Sequence, residues 1–189
     1  MHYEYTAAEK TNIVDWVTAA IKLLIDKDSD LLSPDKVETD NKIDGQKELN
    51  REVHETTING RLERYIEDLI SDFGYKGYNC DIEYNRYINQ RKMVRSIETG
   101  QYIEVRPDII VHKRLRLYEE LPHLLVVEAK KYSNNEKDRN HVRDIMRDNN
   151  YCYKFGLLIS YYESKTKINC ELLSLEQDKF ISQKFSVDK

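Results

Sequence analysis

Two short stretches bring acids and an amine to places where they can act together. Pro107-Asp108 opens the run "RPDIIVHKR" (106–114), and Glu128-Ala129-Lys130 ends the apolar run in "LLVVEAKKY" (124–132). Side chains in a β-strand alternate between faces, so Glu128 and Lys130 project to one side and Ala129 to the other. Proline is tolerated at a strand start, which places Asp108 at the opening of its strand. If the two strands pair as a hairpin, Asp108 approaches Glu128 across the sheet end. Close carboxylates repel, and one pKa rises unless a cation sits between them. Carboxylate oxygens on a rigid strand pair, with water filling the remaining positions, suit Mg²⁺ or Mn²⁺. A lysine on the same face orients an attacking water or stabilises developing negative charge. Phosphodiester hydrolysis asks for that combination.

The elements that must hold these residues follow from periodicity. The 122–132 stretch is apolar on both faces, as a central strand is. Before it, 78–88 and 106–114 read as strands, and after it 154–162 and 167–175 do. Ser133 with Glu136 suggests a capping box for a helix over roughly 136–149. Thr6 with Glu9 suggests another, opening a helix over roughly 7–26 with Ile13, Val17, Ile21 and Leu24 on one stripe. Trp16 falls slightly off that stripe, as a partly buried anchor. Residues 27–48 are dense in Asp, Lys, Asn and Ser and read as a linker. A second helix over roughly 50–73 carries Ile58, Leu62, Ile66 and Leu69 on one face; Gly60 weakens it and Gly74 and Gly77 stop it. The expected architecture is α/β, α+β-like in its segregation, with a central mixed sheet of about five strands flanked by helices. Residues 1–48 form an added N-terminal helix and linker, and 49–189 form the main domain.

Pro107-Asp108 followed by Glu128-Ala129-Lys130 resembles the PD-(D/E)xK nuclease superfamily, the restriction-endonuclease-like fold. "DIEYNR", "RPDIIVHKR" and "LLVVEAKK", in this order, look like a group of small microbial proteins within it, over most of residues 50–175. The resemblance implies a metal-dependent nuclease acting on DNA or RNA. Asp108 and Glu128 would hold Mg²⁺ or Mn²⁺ with the backbone carbonyl of Ala129, and Lys130 would position the attacking water. It also implies a glutamate on the first core helix, with Glu52, Glu55, Glu63 and Glu67 as candidates. Glu55 is in phase with Ile58, Leu62 and Ile66, so it is the residue expected to complete the acidic cluster.

Other features bear on partners. The net charge is −4, so a phosphate-facing surface has to be local. Arg139, Arg143 and Arg147 repeat along the last helix, and Arg86, Arg91, Lys92 and Arg95 make a basic wing after the first strand; both sets read equally as nucleic-acid contacts or solvated charge. The five histidines show no metal-ligand spacing. Three cysteines, none in a CxxC pair, read as free thiols. No membrane span or signal peptide is evident, which points to the cytosol. The stripe on the N-terminal helix offers a face to a second copy of the chain or to a partner subunit. The alternative to an enzyme is a nuclease fold without turnover, acting as a nucleic-acid-binding or protein-interaction module.

Overall fold

The computed structural model describes residues 4–32, 54–83, 91–114 and 123–189, and the backbone of Arg86, Tyr87 and Gln90. Most of the predicted linker and Glu52 lie outside the described residues. Helix α1 (Ala7–Asp28) begins at the Thr6–Glu9 capping box and runs into a short 3₁₀ turn at Ser29–Leu32. Helix α2 spans Glu55–Leu69, with Glu55 in its first turn, where a carboxylate meets the positive end of the helix dipole. The chain then turns through Gly74, whose φ of 84° suits a residue without a Cβ, so the regular helix ends earlier than 73.

Ten strands follow. β1 (Asn79–Ile82), β6 (Ile109–His112), β7 (His123–Lys130), β8 (Tyr153–Ser160), β9 (Lys167–Glu176) and β10 (Lys179–Asp188) form one sheet in the order β1-β6-β7-β8-β9-β10. β7 and β8 run parallel, joined through helix α3 (Glu136–Arg147), and all other neighbours are antiparallel. Two small hairpins, β2 (Arg86–Tyr87) with β3 (Gln90–Arg91) and β4 (Met93–Arg95) with β5 (Tyr102–Glu104), interrupt the meander between β1 and β6. The fold is therefore mixed α/β, as expected, with six strands in the main sheet rather than about five. The strand expected over 78–88 breaks at Glu83, which has a φ of 47°.

The sheet separates two cores. Leu125, Val127 and Ala129 of β7 pack with Phe155, Leu157 and Ile159 of β8 against α1 and α2. Val126, Ile110 and Leu158 face the other way, onto Val142, Ile145 and Met146 of α3. This two-sided burial is why β7 reads apolar at every position from Leu124 to Val127. Gly156 on β8 lets α3 settle close: a Cβ there would lie 2.4 Å from a Val142 methyl and 2.7 Å from the Met146 sulfur.

Several expectations need correction. Ile13, Trp16, Val17, Ile21 and Leu24 are all fully buried within the chain, so the α1 stripe is covered by α2 and the sheet instead of standing open to a partner. Trp16 is a core residue; its Nε1 donates to the Ile66 carbonyl at 3.2 Å and its ring lies against Tyr75 and Phe73. A charged network also ties α1 to α2: Asp28 accepts from Arg61 at 2.6 and 2.9 Å and from the Tyr65 hydroxyl. Helix α3 is capped by Asn135 with Asp138 rather than by Ser133 with Glu136.

Candidate active site

The β6–β7 pairing sets the site. Ile109, the first residue of β6, lies opposite Val127, and continuing that register brings Asp108 level with Glu128 and then Pro107 level with Ala129. Proline has no N–H to close that last rung with the Ala129 carbonyl. The Ala129 N–H is instead taken by the Asp108 carboxylate, at 2.8 Å. The ladder thus ends in a carboxylate held by a backbone amide, and Glu128 and Lys130 emerge on the same face just beyond it.

Lys130 Nζ donates to Glu128 Oε1 at 2.6 Å and lies 3.8 Å from Asp108 and 3.7 Å from Glu55. Glu55 arrives from the first turn of α2, where its other oxygen accepts the Lys131 N–H at 2.9 Å. Asp108, Glu128, Lys130 and Glu55 are therefore brought together around one ammonium group. Glu63 and Glu67, further along α2, are not: they lie beside Cys80 on β1, and Glu67 accepts the Cys80 backbone N–H.

The two paired carboxylates titrate in opposite directions. Burial, then the neighbouring Glu128 charge, pushes Asp108 up to about 6 against the pull of the Ala129 N–H and of Lys130. Burial also acts to raise Glu128, but hydrogen bonds from His141 and Lys130 outweigh it and hold that carboxyl below its usual range. Lys130 loses some charge stability to burial and regains more from Glu128, Asp108 and Glu55, so its ammonium is held above the ordinary lysine range. Two carboxylates on one rung are thus pushed apart, as acid/base pairs are in hydrolytic sites.

His141 is the residue that sequence reasoning missed. Its Nδ1 reaches Glu128 Oε2 at 3.3 Å from α3, across the contact that Gly156 permits. The signal was its place one turn before Ile145 on the buried face of α3, rather than any metal-ligand spacing. His112 proved a partner of Asp81 on β1, with its Nε2 2.7 Å from the carboxylate, and takes no part in the Lys130 group.

The arginines on α3 are engaged within the chain. Arg139 pairs with Glu171 at 3.0 Å and Arg143 with Glu136 at 2.6 Å, while Arg143 and Arg147 both lie over the Phe180 ring. Arg86 belongs to β2 by its backbone, and its side chain lies outside the described residues. In the basic wing, Arg91 pairs with Glu104, and Lys92, expected to face phosphate, is buried at 2% exposure among aromatic rings.

The donor chemistry fits a hard divalent cation: three carboxylates and a carbonyl facing a proline meet at the end of two rigid strands. Lys130 is the positive charge these carboxylates share. Among the described residues, the group of His, Cys, Asp or Glu donors drawn within 4.8 Å of one another is Glu63, Glu67 and Cys80, so Lys130 stands between its carboxylates instead of letting them close together. No family model, curated protein or solved structure matches this chain. Among the described residues, no helix is long and apolar enough to cross a membrane.

Proposed function

We propose that the chain is a metal-dependent nuclease of the PD-(D/E)xK kind, hydrolysing phosphodiester bonds in DNA or RNA in the cytosol. One observation carries this reading: Asp108, Glu128 and Glu55, from two paired strands and a helix, converge on Lys130 at the end of the central strand. Asp108, Glu128 and the Ala129 carbonyl would hold Mg²⁺ or Mn²⁺, with Glu55 completing the acidic cluster. A bound divalent ion supplies Lewis-acid polarisation of the phosphoryl group. Lys130, kept protonated by its three carboxylates, orients the attacking water and stabilises charge developing on the phosphoryl oxygens. The water oxygen bonds to phosphorus as the water gives up a proton to solvent, the bond to the leaving oxygen breaks, and that oxygen takes a proton from solvent. His141 is a positioning residue, holding Glu128 ionised and aimed. Arg86, Arg139, Arg143 and Arg147 are the proposed phosphate contacts, the last three after exchanging their internal partners.

The second reading, a fold without turnover that binds nucleic acid or protein, is favoured by the 2.6 Å contact between Lys130 and Glu128, since a lysine that neutralises its own carboxylates needs no metal. Cleavage assays over single- and double-stranded DNA and RNA with Mn²⁺, run beside Lys130→Ala, separate the two. The enzyme reading expects cleavage that vanishes with EDTA and in the variant. Absence of cleavage on every substrate, or full activity in Lys130→Ala, sinks it.

A further inference from the structure

Beside the Lys130 group lies a cleft of about 420 Å³ over β8, β9 and β10 on the α3 face. The sheet register ties it to the site. Lys130 pairs with Ser160, Ser160 with Asn169 and Asn169 with Ser186, and Ser160, Asn169 and Ser186 all line the cleft. At ~4.8 Å between neighbouring strands, the cleft starts one strand from Lys130 and reaches three strands away.

Its charges are Arg139 and Lys184 against Glu163 and Glu171, and they balance. With its charges balanced, the cleft suits a neutral group rich in donors and acceptors, and Arg139 at its α3 wall is left to turn toward a neighbouring phosphate. Hydroxyls and carboxamides supply the complement. Asn134 lines the same space, donating through Nδ2 to Ser160 and the Ile159 carbonyl, while its Oδ1 is buried with no hydrogen-bond partner among the described residues. The volume falls in the usual range for small-ligand pockets.

We propose that this cleft takes one unpaired nucleobase of the substrate, so that the strand cut at Lys130 is single-stranded there. The inference rests on the nuclease reading for the neighbouring site. A base edge presents N–H and carbonyl groups that the exposed Ser186 hydroxyl and the Asn169 carboxamide can pair, the latter by exchanging the bond its Nδ2 gives Glu163 at 2.9 Å, and in a duplex those edges face the other strand. The phosphate next to that base then lies at Lys130.

The test is fluorescence anisotropy in EDTA, with a labelled short single strand of DNA, its RNA counterpart, the matching duplex and a strand of abasic sites. The full chain is expected to bind one or both single strands about tenfold more tightly than the duplex or the abasic strand. Asn169→Ala and Ser186→Val, each checked for an unchanged melting temperature, are expected to lose that preference. Equal binding of duplex and single strand, tight binding of the abasic strand, or an unchanged preference in both variants overturns the proposal. Its failure is distinguishable from failure of the nuclease reading. Single-strand preference lost in Asn169→Ala without any cleavage keeps the pocket and removes the nuclease; Mn²⁺-dependent cutting of duplex that ignores both variants does the reverse.

Discussion

Lys130 and Lys92 are both drawn out of solvent near the sheet, and their surroundings drive them in opposite directions. Lys130 keeps 31% exposure and meets three carboxylates between 2.6 and 3.8 Å, which hold its charge firmly. Lys92 is 2% exposed, donates to the Tyr153 hydroxyl at 3.2 Å and lies 5.6 Å over the rings of Tyr151 and Tyr153; burial pushes it down to about 8. Charge is built into one position and resisted at the other. A lysine becomes useful for phosphoryl chemistry when acids on separate elements converge on it; burial by itself turns it into a packing group.

The largest expected effect breaks that contrast at its strong end. Lys130→Ala should cut Mn²⁺-supported cleavage by about a hundredfold or more, the scale of losing a group that stabilises the transition state. Lys92→Met should leave the rate within a few-fold, as steady-state rates on one substrate will show. Comparable losses in both would erase the distinction.

Stability sharpens it next. Lys92 has a folded pKa below its unfolded one, so the folded state holds fewer protons between about pH 8 and 10.5, and stability should rise with pH across that window. At neutral pH the buried charge is a burden, partly offset by the two rings. Lys92→Met should therefore gain about 1–2 kcal/mol at pH 7 and flatten that rise in urea unfolding.

Asp108 carries the opposite slope. Its folded pKa of about 6 lies above the ordinary 3.8, so its proton favours the folded state and stability should fall as pH rises between those values. Asp108→Asn should remove the slope and stabilise by about 1–2 kcal/mol at pH 7, while abolishing cleavage. A variant that is more stable and inactive would mark Asp108 as kept for chemistry at a structural cost.

His141→Ala is the mildest case. Glu128 loses a donor that lowers its pKa, so its own carboxyl should titrate at higher pH, read by NMR of its side-chain carbon, with the cleavage rate falling about several-fold. A lower rate with unmoved Glu128 titration would reduce His141 to packing.

How much of this was legible in the sequence depends on the range of the contacts involved. Asp108, Glu128 and Lys130 stood out because strand alternation and a hairpin are local rules, and Glu55 because helix phase is. The three helices followed from apolar spacing. β10 escaped because it is an edge strand: Ser182, Gln183 and Lys184 are exposed, and little apolar alternation marks it. The α3 cap escaped because Ser133–Glu136 and Asn135–Asp138 satisfy the same pattern two residues apart, and only the backbone chooses. Lys92 read as part of a basic wing because nothing nearby in sequence announces Tyr151 and Tyr153. His141 needed the long-range seating of α3 on Gly156. Local periodicity thus located the acid–lysine cluster, while the residues that tune its charges came from contacts between distant segments.

The most direct test is a calorimetric Mn²⁺ titration of the full chain and of Asp108→Asn. Saturable binding to the chain and its loss in the variant is the predicted result. Binding that survives Asp108→Asn would place the ion elsewhere, with Glu63, Glu67 and Cys80 the next donors to examine, and no binding to either protein would contradict a metal centre around Lys130.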